Sequence, residues 1–204
     1  MKSNQPLYIL KVCAVLITLF VFGCAHISEQ PSLEKRVGDQ LINAAGESVK
    51  GADVFKTKYT LLYFSAHWCP PCKRFTPKFI TFYNAYGEDR PFDVIFISSD
   101  KCEADMVTYM RETKMPWAAV PYNSALVKIL REEFSYSGIP NLVLLDADGK
   151  VILNCYQGRR YLGPQRVLDA LVKRVGSASA VKAKKGKKKV DLSRCFLSEC
   201  KPCG

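Results

Sequence analysis

Two cysteines three residues apart, Cys69 and Cys72, stand where one hydrophobic pattern gives way to another, and that junction constrains the fold more than any other stretch. Before it, Tyr59 to Phe64 is an apolar run rich in aromatic and aliphatic residues, the pattern of a buried strand. After it, Cys72, Phe75, Phe79, Phe82, Tyr83 and Tyr86 recur at helical spacing, the inner face of an amphipathic helix. The cysteines therefore sit where a central strand hands over to a helix. Cys69 falls at the helix N-terminus, where free backbone N–H groups and the positive end of the dipole favour a thiolate. Cys72 falls one turn in, on the apolar row, and is expected to be the more buried of the two. An exposed, acidified thiol with a sheltered partner is a dithiol suited to exchange: the first attacks, the second resolves the mixed disulfide. Pro71 suits the first helical turn, because the N–H it removes has no intrahelical partner.

A Cys-x-x-Cys is also half of a zinc site, but no second pair with nearby histidine follows at zinc-finger spacing. A purely structural disulfide is the other reading. The strand-turn-helix context and the preceding Trp68 favour redox chemistry over both. The run Phe64-Ser65-Ala66-His67-Trp68-Cys69-Pro70-Pro71-Cys72-Lys73-Arg74-Phe75-Thr76-Pro77 closely resembles the tryparedoxin and nucleoredoxin branch of the thioredoxin superfamily. Met115-Pro116-Trp117-Ala118-Ala119-Val120-Pro121-Tyr122 resembles the same branch, and Gly138-Ile139-Pro140-Asn141 before a strand is general to the superfamily. The similarity runs from about Gly38 to Val175. It implies an α/β thioredoxin fold, with a mixed central sheet and helices on both faces, and thiol–disulfide oxidoreductase chemistry. It implies Cys69 as nucleophile, Cys72 as resolving thiol, and Ile139-Pro140 as a cis-proline loop facing the dithiol. Trp68, Ile139 and Pro140 are then expected to flank the substrate. Pro70, Pro71 and Trp117 are expected to support the site, with Trp117 packed on the active-site side. The thioredoxin archetype carries a buried aspartate six positions before the first cysteine; Tyr63 stands there, a departure the tryparedoxin branch shares.

The chain has 204 residues and a net charge of +11. The charge is uneven: residues 177–204 carry +6, Lys2 and Lys11 carry +2, and only +3 is left for the middle. The basicity thus belongs to the tail and does not mark a nucleic-acid-binding domain. Nine cysteines are many for a cytosolic protein, yet too dispersed for a small disulfide scaffold.

The N-terminus suggests a compartment. Lys2 and Lys11 precede an 11-residue apolar run, Val12 to Phe22. That is too short for a bilayer core of about 30 Å, but it matches the h-region of a secretory signal. Gly23-Cys24 resembles a bacterial lipobox, although Phe22 stands where a small residue is usual. The expectation is a lipoprotein-type signal over 1–23, cleavage before Cys24, and lipidation of that cysteine; a multi-chain lipid anchor holds firmly. Ala25, in place of the aspartate that retains such proteins at the inner membrane, favours the outer membrane facing the periplasm. Residues 24–37 read as a polar tether with a reach of about 20 Å, and residues 38–176 as the thioredoxin-like domain.

Within the domain, Gly38 to Phe55 reads as an edge strand, a turn and a short helical turn. Asp93 to Ser98 reads as a second buried parallel strand. Glu103 to Thr113, with Met106, Val107 and Met110 on one face, reads as a helix, with Cys102 near its start as a buried or capping residue. Met115 to Tyr122 holds two prolines and is expected to be irregular. Ser124 is expected to cap a helix bearing Leu126, Ile129, Leu130 and Phe134. Asn141 to Leu145 and Val151 to Tyr156 read as a hairpin, with Cys155 structural. Gly163 to Val175 reads as a closing amphipathic helix.

From Ser177 the composition shifts to Lys, Ala and Gly, and 177–204 reads as a disordered tail able to approach an anionic membrane. Cys195, Cys200 and Cys203 close it; a metal is not expected there, and the hypothesis is a mobile redox tail that exchanges with Cys69–Cys72. The expected partners are disulfides or thiols of client proteins, an upstream electron donor and the membrane; no cofactor and no nucleic acid are expected. With no acid between the cysteines, a reductant is favoured over an oxidant. A reading of another class is a membrane-tethered adaptor that holds peptides in the same cleft, its redox chemistry incidental.

Overall fold

The chain enters the fold earlier than its composition suggests. The computed structural model describes residues 32–88, 90–134 and 138–183. The expected signal, Cys24, most of the tether, and the tail with Cys195, Cys200 and Cys203 lie outside the described residues. Leu33 and Val37 lie one helical turn apart on α1 (Leu33–Val37), and both are buried against the sheet. Residues 32–37 therefore belong to the domain, a correction to the tether drawn to Val37. Two apolar residues are too few to register as a period.

Helix α1 leads to a hairpin of β1 (Leu41–Ile42) and β2 (Ser48–Val49), then to the single turn α2 (Gly51–Val54). Strand β3 (Tyr59–Ser65), helix α3 (Pro70–Tyr86), strand β4 (Phe92–Ser98) and helix α4 (Glu103–Thr113) follow. Then come β5 (Ala118–Ala119), α5 (Ala125–Phe134), β6 (Asn141–Leu145), β7 (Val151–Asn154), the small hairpin β8 (Tyr156–Gln157) and β9 (Arg160–Tyr161), and α6 (Gln165–Val175). Seven strands form one sheet in the order β2-β1-β5-β4-β3-β6-β7. Strands β3, β4 and β5 are parallel, whereas β6, β7, β1 and β2 join antiparallel at the flanks.

Every residue of β3 and β4 is buried, because helices cover both sheet faces. Alternation divides the strand side chains. Leu61, Tyr63, Val94 and Phe96 meet Phe79 and Tyr83 of α3, Met106, Tyr109 and Met110 of α4, and Leu171 of α6. Leu62, Phe64, Ile95 and Ile97 meet Leu33 and Val37 of α1 and Leu126, Leu130 and Phe134 of α5. The expected mixed sheet with helices on both faces is the observed architecture.

Four expectations need correction. Met115 to Tyr122 is not wholly irregular: Pro116 and Pro121 flank β5 rather than interrupt it, and Ala118 and Ala119 pair with Ile95 and Phe96. Ile129 is exposed on α5 instead of joining Leu126 and Leu130, and the Ser124 hydroxyl makes no cap bond among the described residues. Residues 178–183 are helical, and Ala178 and Val181 pack against the core, so the ordered chain continues past Ser177. Among the described residues, no helix is long and apolar enough to cross a membrane.

Candidate active site

Strands β3 and β4 end side by side, Ser65 opposite Ser98, and the loops that follow them form one face of the molecule. Strand β6 runs the other way and begins at Asn141 opposite Phe64, so the residues before it arrive where β3 leaves. Topology thus brings 66–72, 99–102 and 138–140 together.

Cys69 is the N-cap of α3 and is disulfide-bonded to Cys72, with a Cα–Cα distance of 5.2 Å. Pro70 and Pro71 occupy the first two helical positions and offer no N–H. The first donor of the helix is therefore the Cys72 N–H, which points at Cys69 Sγ at 3.3 Å. A sulfur held at an N-cap by a backbone donor is stabilised as an anion once the bond is reduced. Cys69 is nearly as buried as Cys72, 3% against 0% exposed, because Ala66 and Ile139 pack over the pair. The expected contrast between an exposed and a sheltered sulfur is thus small in the disulfide state. Trp68 is the exposed neighbour, at 53%.

The preceding loop is fixed by β4's exit. Asp100 Oδ1 accepts the His67 N–H at 2.7 Å, and Asp100 Oδ2 accepts the Ser98 hydroxyl at 2.7 Å. The Trp68 indole N–H donates to the Ser99 carbonyl at 3.1 Å. Burial pushes the Asp100 carboxyl above the usual carboxylate range, and the bonds from Ser98 and His67 oppose that shift.

Beneath the dithiol lies a chain of buried hydroxyls. Thr76 donates to the Cys72 carbonyl at 3.0 Å, and its oxygen also lies 2.7 Å from the Tyr63 hydroxyl. Tyr109 bonds Thr76 in turn and reaches Ser65 at 3.2 Å. Tyr63 occupies the position of the archetype's aspartate, and burial holds its hydroxyl protonated far above neutral pH. This network braces the first turn of α3 without supplying a charge. Thr76 and Tyr109 were not singled out from the sequence; their only signal is the helical spacing of Thr76 from Cys72 and of Tyr109 beside Met106 and Met110.

On the other side, the Ile139–Pro140 peptide is cis, and the Ile139 carbonyl oxygen lies 3.8 Å from Cys69 Sγ. The Tyr161 hydroxyl donates to the Pro140 carbonyl at 2.7 Å, tying this loop to β9. A Cβ at Gly138 would lie 2.6 Å from the Tyr156 hydroxyl, so a side chain there requires the Tyr156 ring to shift.

Trp68, Pro70, Pro71, Ile139 and Pro140 are therefore gathered around Cys69 and Cys72. Trp117 is placed elsewhere. It is buried against Tyr63, Phe79 and Tyr83, with ring centroids at 6.2, 4.8 and 5.3 Å. Ala118 pairs with Ile95 in mid-strand, so Trp117 lies towards the start of β4, and it lines a cavity there with Arg90 and Asp93. Its contact with Tyr63 links it to the hydroxyl network beneath Cys72. Cys102 is the exposed N-cap of α4, and Cys155 is buried, its sulfur accepting the Leu142 N–H at 3.1 Å. Among the described residues, no group of three or more His, Cys, Asp or Glu is gathered as a metal site needs.

A family model described as thioredoxin-like matches residues 57–151. Tryparedoxin of Trypanosoma brucei brucei is 40% identical over 114 residues, 55% of this chain and 76% of the relative. Probable nucleoredoxin 1 of Arabidopsis thaliana is 43% identical over 115 residues, 56% of this chain and 19% of the relative. The chain spans only 33% of a second such relative, probable nucleoredoxin 3 of Oryza sativa subsp. japonica. Among solved structures, tryparedoxin I from Leishmania major superposes with a TM-score of 0.56 at 30% identity, covering 70% of this chain and 94% of the other. Thioredoxin from Wuchereria bancrofti superposes with a TM-score of 0.55 at 34% identity, covering 68% and 96%.

Proposed function

The chain belongs to the thioredoxin-like family, in its tryparedoxin and nucleoredoxin branch, and from that premise we propose that it is a thiol–disulfide oxidoreductase acting on protein clients as a reductant. The observation that carries this reading is the Cys69–Cys72 pair at the N-terminus of α3, with the Cys72 N–H on Cys69 Sγ and the Ile139 carbonyl beside it.

In the reducing direction the Cys69 thiolate attacks one sulfur of a client disulfide. The client S–S bond breaks, a Cys69–client bond forms, and the displaced client sulfur leaves as a thiolate that takes up a proton. Cys72 then loses its proton and attacks Cys69 Sγ, releasing the second client sulfur. Two electrons have passed to the client, and the dithiol stands in the disulfide form present in the structure. A thiol or dithiol donor returns them. The backbone beside Pro140 supplies an edge for the client segment, and Trp68 supplies an exposed apolar wall.

The same proposal places the protein in the cell envelope, lipid-anchored through Cys24 and facing the periplasm, with the outer membrane preferred. The Lys2 and Lys11 flank, the 11-residue apolar run and Gly23-Cys24 support it. The lysines from Lys182 to Lys189 add attraction to an anionic surface of about 1 kcal/mol each.

The test is the reduction potential of Cys69–Cys72 by equilibration with glutathione and dithiothreitol, with the three tail cysteines changed to serine. A value near about −270 mV supports a reductant, and one near about −120 mV an oxidant. A pair that equilibrates with neither couple removes the oxidoreductase reading.

A further inference from the structure

One helical turn beyond the dithiol, α3 and the loops around Pro140 and Gly163 enclose an open cleft of about 300 Å³. Its walls are apolar: Pro71 and Phe75 on one side, Pro140 and the Tyr161 ring on the other. Both walls belong to the site already described. Pro71 lies between the two cysteines, and Pro140 follows the carbonyl that approaches Cys69 Sγ. Tyr161 is pinned across the cleft by its bond to the Pro140 carbonyl.

The rim carries two positive charges, Arg74 and Lys78, four residues apart on α3 and so on one face of it. Both are exposed, and among the described residues neither is engaged in an ion pair. Among the described residues, no Asp or Glu lines the cleft. Phe75, between them in sequence, is half-buried and offers an apolar floor.

We propose that this cleft reads the client segment next to its reactive cysteine and selects one that carries an acidic side chain beside an apolar one. The carboxylate sits between Arg74 and Lys78, and the apolar neighbour lies on Phe75 and Tyr161. The substrate class is thus a disulfide flanked by Asp or Glu in an otherwise apolar stretch. This rests on the oxidoreductase reading and adds a specificity to it: Cys69 and Cys72 do the chemistry, and the rim charges choose the client.

The experiment uses the full chain and cyclic disulfide peptides that differ only in the residue beside one cysteine: Glu, Gln or Lys. Reduction of each is measured alongside that of hydroxyethyl disulfide, which is neutral and too small to reach the rim. The expected kcat/KM ratio of Glu to Lys peptide is about five- to tenfold at low salt, as for exposed charge pairs. It falls towards one near 1 M salt, where the screening length is about 3 Å. In the Arg74→Glu, Lys78→Glu protein the ratio inverts; should that pair fail to fold, Lys78→Gln alone lowers it by about two- to threefold. A ratio near one in the unaltered protein, or one that the substitutions do not move, overturns the proposal while hydroxyethyl disulfide is still reduced. If hydroxyethyl disulfide is not reduced either, the redox reading falls, and the charge preference is read from binding of the same peptides with alanine at both cysteines. Tighter binding of the Glu form then upholds the cleft's preference, and equal binding ends it.

Discussion

At the scale of single residues, α3 begins with a shortage of donors that the sulfur feels directly. Pro70 and Pro71 leave the Cys72 N–H alone on Cys69 Sγ. Pro71→Ala restores a second N–H at a position from which N-caps are commonly bonded. The reduced variant is expected to hold more thiolate and to react with iodoacetamide about three- to tenfold faster at pH 6, read by mass spectrometry of Cys69. Asp100 works on the preceding loop. Asp100→Ala orphans the buried end of the His67 N–H bond and is expected to cost about 1–3 kcal/mol in a urea melt, whereas Asp100→Asn keeps an acceptor and costs less. The carboxyl's upward shift sets the sign with pH. Between its raised folded value and the unfolded value of 3.8, the folded chain binds the proton first. Stability relative to the Asn variant therefore rises as pH falls through that window and is lower at neutral pH. Among the described residues, the two cysteines outside the disulfide divide by exposure: Cys102 is expected to alkylate in the native protein, while Cys155, its thiol pushed up to about 12 mainly by burial, is expected to stay unmodified until unfolding.

At the scale of elements, length decided what was legible. Strands β3 and β4 are long enough to show an unbroken apolar run, and helices α3, α4, α5 and α6 long enough to show a period, and the sequence reading finds all of them. Helix α1 and strands β5, β8 and β9 are too short, since a two-residue strand or a single turn has no period to display. The prolines at 116 and 121 misled for a related reason: proline forbids a ladder bond at its own nitrogen, not at Ala118 and Ala119 between them. In the site, Cys69, Cys72, Pro140 and Trp68 are read from local motifs. The bond from His67 to Asp100 and the packing of Trp117 depend on which strands become neighbours, which no local pattern states. Helix α1 provides the test of the boundary. Leu33→Ala is expected to cost about 2–4 kcal/mol, as for a buried core leucine, measured by chemical denaturation; a loss below about 0.5 kcal/mol, the size of an ordinary surface change, would return this segment to the tether.

At the scale of the whole molecule, chemistry and packing occupy opposite parts of one sheet. The loops after β3 and β4 carry the dithiol, while the contacting rings of Phe79, Tyr83 and Trp117 sit deeper, Trp117 lying towards the start of β4. Cys24→Ser is expected to move the protein from the membrane fraction to the soluble fraction while leaving the Cys69–Cys72 potential unchanged; retention in the membrane would remove the anchor from the proposal. This separation has an optical consequence. The chain has only two tryptophans. Trp68 is exposed beside the disulfide, and Trp117 is buried among rings. A neighbouring disulfide quenches indole emission, and a buried indole emits to the blue of a solvated one. The red edge of the fluorescence spectrum therefore follows the redox state at Cys69–Cys72, the blue edge follows the integrity of the core, and one cuvette reads both without a label.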